Sequence, residues 1–107
     1  PVISFGSGGV GVEIMGDSAI SLPPLNRRLA LDLIHRTRVS RMLASFRHMP
    51  AVDMDLLVDV LLRVSNMACE LPWVQEMDIN PLIVGPVGTE PAVVDARIIL
   101  KDRRSTP

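Results

Sequence analysis

Apolar and polar positions change their spacing several times along this chain, and each change predicts an element. Val2 to Phe5 is a short apolar run with strand character. After a glycine-rich stretch, Val10 to Met15 and Ala19 to Leu22 alternate around Gly16-Asp17, which predicts a hairpin. Pro23-Pro24 stops the sheet, and Asn26 is a good helix N-cap. Ala30, Leu33, Ile34 and Thr37 then recur at helical spacing, predicting a helix over about residues 27 to 38. Residues 39 to 50 are less regular and end at Pro50. Asp53 caps a second helix reaching about Glu70, with Leu57, Val58, Leu61, Val64, Ser65 and Ala68 on one face and Pro72 as its stop. Two strands follow, Gln75 to Val84 and Ala92 to Leu100, separated by "GPVGTEP". Strands, two helices and two more strands predict an α+β fold: an antiparallel sheet with two main helices packed on one face.

The glycine-rich stretch Gly6-Ser7-Gly8-Gly9-Val10-Gly11 is a literal G-x-G-x-x-G. A dinucleotide-binding fingerprint needs its last glycine to open a helix and an acidic residue about 20 positions on. Here the chain continues with strand periodicity, and the nearest acidic candidate, Asp32, lies inside a helical pattern. No Gly-Lys-Ser/Thr follows, so it is not a phosphate-binding P-loop either. It reads as a turn between strands.

Composition narrows the class. With 107 residues, 48% of them apolar, the chain can form one domain with a modest core. No apolar run approaches the roughly 20 residues of a membrane span, and no signal-peptide pattern opens the chain. No membrane partner and a cytoplasmic location are therefore expected. The lone Cys69 sits in a helical pattern and is expected to be a small buried hydrophobe. Met54 and Met67 read as packing residues. A net charge of −1 argues against a nucleic-acid partner, and Arg27, Arg28, Arg36, Arg38, Arg41 and Arg47 read as a solvated helical segment. His35 and His48 have no metal-ligand spacing and read as surface residues. A strand so near the first residue has usually been given a partner by earlier residues. The ending "KDRRSTP" reads as a linker.

The last hairpin gathers the chemistry. If its loop is symmetric about residues 87 and 88, antiparallel pairing sets Asn80 opposite Asp95 and Asp78 opposite Arg97. Those four side chains then share one face, each within about 5 Å of its cross-strand neighbour. Met77, Ile79, Val94, Ala96 and Ile98 take the other face, which is expected to seal the core. An Asn oxygen beside an Asp oxygen suits Mg²⁺, which takes one or two protein ligands and fills its sphere with water and phosphate. The same register also permits a plain Asp78–Arg97 surface ion pair beside two solvated polar residues, and a one-residue slip would disperse the group.

"EMDINPLIV" (76 to 84) followed by "VVDARIIL" (93 to 100) closely resembles the end of the ATP-grasp domain of ADP-forming acyl-CoA synthetases, relatives of the succinyl-CoA synthetase β subunit. The opening "PVISFGSGGVGVEIMGD" resembles that family's strand, Gly-rich turn and strand, and "LPPLNRRLALDLI" and "VDMDLLVDVLLRVSNMACELPWVQ" fall where it has two helices. The resemblance implies a C-terminal ATP-grasp lobe over residues 1–100 and a linker or tail over 101–107. It implies Asn80 and Asp95 as ligands of the nucleotide's Mg²⁺ and places Asp78 near the phosphoryl-transfer centre. Arg97 takes a position that can touch phosphate, and Glu13 is a further nucleotide-binding candidate beside the Gly-rich turn. The implied reaction of the whole enzyme converts acyl-CoA, phosphate and ADP to acid, CoA and ATP through a phosphohistidine.

The first ATP-grasp lobe, the CoA-binding domains and their histidine are not in these 107 residues. The resemblance therefore implies that ATP or ADP, CoA and the acyl substrate are bound together with the rest of a longer protein, and that this piece alone is inactive. "LPPLNRRLA" and "RVSNMACELPWVQEMDINPL" also resemble a subgroup fused to a GNAT-type lysine acetyltransferase, in which the synthetase-like part is a regulatory or ligand-sensing region. A non-catalytic interaction module is the third reading.

Overall fold

The computed structural model describes residues 1–7, 16–44 and 50–102. Its first strand, β1 (Ile3–Gly6), pairs antiparallel with β2 (Ser18–Ser21), Phe5 opposite Ala19 and Gly6 opposite Ser18. The sequence pattern pairs residues 19 to 22 with 10 to 15 instead. The latter lie outside the described residues, and among the described residues the partner of β2 is β1. Glycine is required at position 6 by this close pairing, since a Cβ there would run into the Asp17 carbonyl and the Ser18 side chain.

Helix α1 (Arg27–His35) starts as its sequence predicts, with the Asn26 side chain accepting the Leu29 N–H at 2.8 Å. It stops earlier than the expected residue 38. The Thr37 N–H and hydroxyl both turn back onto the Ile34 carbonyl, at 3.1 and 2.6 Å. The next two amides, of Arg38 and Val39, donate to the Asp17 carboxylate at 2.6 and 2.9 Å. A short helix α2 (Ser40–Leu43) follows, within the stretch whose sequence pattern is irregular.

Helix α3 (Met54–Glu70) is capped by Asp53, whose carboxylate accepts the Leu56 N–H at 3.1 Å. The core lies where α1, α3 and the β1–β2 pair meet, from Ile3, Leu25, Ala30, Leu33, Ile34, Leu57, Val58 and Leu61. Complete burial of a side chain such as Leu33 or Ile34 contributes about 1.5–3 kcal/mol. Ser65 sits in this apolar setting with no exposure because its hydroxyl accepts the Leu25 N–H at 2.7 Å. Val64 and Ala68, expected on the buried face, are half-buried. Cys69, expected inside, is exposed: the fully buried side chains of α3 end at Ser65, and in the last turn Ala68 still packs on the core while Cys69 faces solvent.

The remaining strands are β3 (Val74–Ile79), β4 (Leu82–Ile83), β5 (Ala92–Val93) and β6 (Ala96–Leu100). The fold is α+β with antiparallel sheets and helices, its described strands forming three two-stranded ladders, β1–β2, β3–β6 and β4–β5. The apolar face of the last hairpin does not seal the core as its alternation predicts. Met77 and Ile79 are half-buried, but Val94 and Ile98 remain 59% and 50% exposed. Among the described residues, the helices pack on β1 and β2, not over β5 and β6.

Asp17 is the buried polar hinge of this arrangement, its side chain 3% exposed, with Arg38 Nε 3.8 Å away. Asp17→Ala removes the acceptor of two amides and should cost about 2–4 kcal/mol in urea unfolding. Asp32→Ala removes only an exposed pair with Arg36 and should cost under about 0.5 kcal/mol. Equal effects would show that Asp17 holds nothing together.

Candidate functional site

The β3–β6 hairpin places every candidate side chain but one. Its reversal is the segment Pro86-Val87-Gly88-Thr89, closed by Thr89 N–H to the Pro86 carbonyl at 3.0 Å. Gly88 has φ +94°, the left-handed backbone that the third residue of a type II turn needs. From this turn the pairing runs back with Leu82 opposite Val93, Ile79 opposite Ala96 and Asp78 opposite Arg97. Asn80 N–H donates to the Asp95 carbonyl at 3.0 Å, and Val94 N–H to that of Pro81 at 3.0 Å. The register is thus the one the sequence predicts.

Two features shape the ladder around the site. Pro81 has no N–H to give, so the expected long strands divide there into β3 and β4, and opposite it into β5 and β6. The pleat continues on both sides: Met77 and Ile79 turn inward, and Asp78 and Asn80 are exposed. Asp95 and Arg97 are exposed as well. Asn80 and Asp95 are brought side by side, with Asp78 and Arg97 paired one step further along the same face. Glu13 lies outside the described residues.

The electrostatics favour an open site over a closed ion pair. Among the described residues, salt bridges join Arg27 to Asp55, Arg36 to Asp32, Arg38 to Asp17 and Arg63 to Asp59, and none joins Asp78 to Arg97. Three of the six clustered arginines are therefore engaged within the chain; Arg28 and Arg41 are exposed and Arg47 lies outside the described residues. No group of three or more His, Cys, Asp or Glu suited to a metal occurs among the described residues. A magnesium ion shared with phosphates is compatible with two hard oxygen donors, Asn80 and Asp95. His35 is an exposed residue in the last turn of α1, and His48 lies outside the described residues. Asp32 is on α1, engaged with Arg36.

Sequence reasoning missed Asp17. Its signal, an aspartate directly after a turn glycine, is ordinary turn chemistry, and nothing local announces that the carboxylate will be buried. Among the described residues, no helix is long and apolar enough to cross a membrane.

Comparison with known proteins gives one consistent answer. A family model described as an ATP-grasp domain matches residues 1–100. The chain is 40% identical over 100 residues to the ADP-forming acetate–CoA ligase I of Archaeoglobus fulgidus, covering 94% of this chain and 14% of that protein. It is 35% identical over 100 residues to the β subunit of ADP-forming acetate–CoA ligase I from Pyrococcus furiosus, covering 94% of this chain and 42% of that one. A solved acetyl-coenzyme A synthetase 1 of Candidatus Korarchaeum cryptofilum, in complex with coenzyme A and Mg-AMPPCP, superposes with a TM-score of 0.86 at 38% identity. That match covers 94% of this chain and 46% of the other. The chain therefore spans less than half the length of each of these relatives.

The register can be checked by cross-linking. Asp78→Cys with Arg97→Cys should form a disulfide under mild oxidation, because the two Cα positions face each other. Asp78→Cys with Ala96→Cys should not, because Ala96 belongs to the opposite face. Efficient cross-linking of the second pair would show a slipped hairpin.

Proposed function

The chain belongs to the ATP-grasp domain family, and from that premise we propose that residues 1–100 are the C-terminal lobe of an ATP-grasp domain, with 101–107 as a linker or tail. In this reading the chain supplies half of the Mg-nucleotide site of an ADP-forming acyl-CoA synthetase. The whole protein would convert acyl-CoA, ADP and phosphate to acid, CoA and ATP. The observation that carries the reading is the adjacent, exposed pair Asn80 and Asp95, held in register by the Asn80 amide on the Asp95 carbonyl. The identity to ADP-forming acetate–CoA ligases supports the reaction class.

Each residue has a role its chemistry permits. The Asn80 side-chain oxygen and the Asp95 carboxylate would hold magnesium, which neutralises phosphate charge when bound. Asp95 is the anion of the pair, and Asn80 adds an oxygen without adding a second charge. Arg97 would contact a phosphate oxygen with its planar guanidinium. Asp78, opposite Arg97 in the ladder, would lie beside the transferring phosphoryl group. Glu13 remains a nucleotide-binding candidate near the Gly-rich turn. Positioning and charge neutralisation are what phosphoryl transfer asks of a protein. The adenine pocket, the CoA site and the histidine that carries phosphate would come from the rest of the protein. The relatives named above are ligases, so the sensory role beside an acetyltransferase is the second reading. It differs from the first in lacking ATP formation from acyl-CoA, ADP and phosphate.

Two outcomes follow. In the full-length protein, Asp95→Asn should weaken Mg-nucleotide binding at least about tenfold by calorimetry, because the site loses its one anionic ligand. The same near-isosteric change on an exposed face should shift stability by no more than about 0.5 kcal/mol. Unchanged affinity would remove Asp95 from the metal site. The 107-residue chain by itself should bind Mg-ATP weakly or undetectably, and tight binding would mean the site is misplaced.

A further inference from the structure

Among the described residues, Asp17 is the only acidic residue that is buried, and the roles given above to Asp78, Asn80, Asp95 and Arg97 make no use of it. It stands where the glycine-rich stretch returns to the sheet. Its carbonyl accepts the Ser7 N–H at 3.2 Å, and Gly6 pairs with Ser18, so the stretch leaves β1 and enters β2 at one point. Gly6, Gly8, Gly9, Gly11 and Gly16 give it few side chains to pack, so its position is set from its two ends. Gly6, Ser7 and Ser18, at that foot, line the same groove as Asp78 and Asn80.

The Asp17 carboxylate ties this foot to α2. Its Oδ1 accepts the Arg38 N–H at 2.6 Å and its Oδ2 the Val39 N–H at 2.9 Å. Val39 is the N-cap of α2 and has no side-chain cap of its own, so Asp17 does from a distance what Asn26 and Asp53 do locally for α1 and α3. Only a carboxylate suits both amides, since an asparagine would turn N–H donors toward one of them. The far end of α2 continues the connection. The Leu43 carbonyl accepts the Val52 N–H at 3.0 Å, and the next residue, Asp53, donates its N–H to the Gly85 carbonyl at 2.7 Å. Gly85 follows β4 in the hairpin that carries Asn80 and Asp95. A path of hydrogen bonds thus runs from the foot of the glycine-rich stretch to the hairpin of the candidate metal pair.

We propose that Asp17 is a positioning residue of the Mg-nucleotide site. Through α2 it sets where the foot of the glycine-rich stretch stands relative to Asn80 and Asp95, and it touches no substrate itself. The proposal rests on the nucleotide reading of that pair. Arg36 supports the same joint, since its guanidinium donates to the Ile20 carbonyl at 2.8 Å and fastens β2 to the end of α1. A carboxylate that served the fold alone would affect nucleotide binding no more than any other buried acceptor does.

Calorimetry with Mg-ADP and hydrogen–deuterium exchange on the full-length protein test this, with Ser65→Ala as the control. Ser65 is also a buried acceptor of a main-chain amide, that of Leu25, and lies off the path. At a temperature where both variants are folded, Asp17→Asn should speed exchange at the Ser7 amide about tenfold and weaken Mg-ADP binding about tenfold. Ser65→Ala should leave both within about twofold of wild type. Unchanged exchange at Ser7, or a loss of affinity no greater than that of Ser65→Ala, overturns the role. Asp95→Asn separates this from a failure of the nucleotide reading. If it too leaves affinity unchanged, the reading itself falls; if it alone weakens binding, only the positioning role does. Should Asp17→Asn not fold, Val39→Pro takes its place. The φ of −61° at Val39 suits proline, which deletes one of the two amides and keeps the carboxylate. Binding weakened about threefold or more supports the role, and wild-type affinity overturns it.

Discussion

The hydrogen bond from the Thr89 amide to the Pro86 carbonyl fixes the register of the hairpin on which the site depends. It closes a turn that only a residue tolerant of φ +94° completes without strain, and Gly88 supplies it. Moving that turn by one residue would send Asp78 and Asn80 to the face of Met77 and Ile79. Everything proposed for magnesium and phosphate follows from this register. The four polar side chains come from two short segments, "DIN" at the end of β3 and "DAR" at the start of β6, that carry no chemistry until they are paired.

A second constraint ties the hairpin to the helical core. The Asp53 amide donates to the Gly85 carbonyl at 2.7 Å, so the residue that caps α3 also holds one end of the hairpin loop. The Lys101 amide donates to the Trp73 carbonyl at 2.8 Å and closes the other end. Between them the hairpin keeps much apolar surface in solvent, with Val93, Val94, Ile98 and Leu100 each at least half exposed. Asp17 and Ser65 fix the opposite half of the molecule through main-chain amides of Arg38, Val39 and Leu25. Rigidity thus comes from buried acceptors near the helices, and the open face is left for chemistry.

What the sequence makes legible is local. Asn26 and Asp53 announce their helices because a cap needs one side chain and an amide three residues away. The hairpin register is legible from a loop symmetric about residues 87 and 88, and the turn closed by Thr89 on Pro86 has that centre. Pairings across longer separations are not. Nothing in residues 18 to 21 names β1 as a partner, since their alternation fits any neighbouring strand. The α1 terminus was hidden because Asp17, twenty-one positions before Arg38, takes the amides that would have continued the helix. Cys69 and the apolar face of the hairpin mislead for a shared reason. Periodicity says which face is apolar, and not whether this chain contains the element that covers it.

The central claim is that Asn80 and Asp95 hold the metal of a bound nucleotide. Iron-directed cleavage reads this most directly: the full-length protein is loaded with ADP and Fe²⁺ in place of Mg²⁺, then treated with ascorbate and peroxide. Nucleotide-dependent scission of the backbone is expected beside Asn80 and beside Asp95, the two positions that the register brings together. Scission confined to other segments, or cuts at these positions that do not depend on nucleotide, would contradict it.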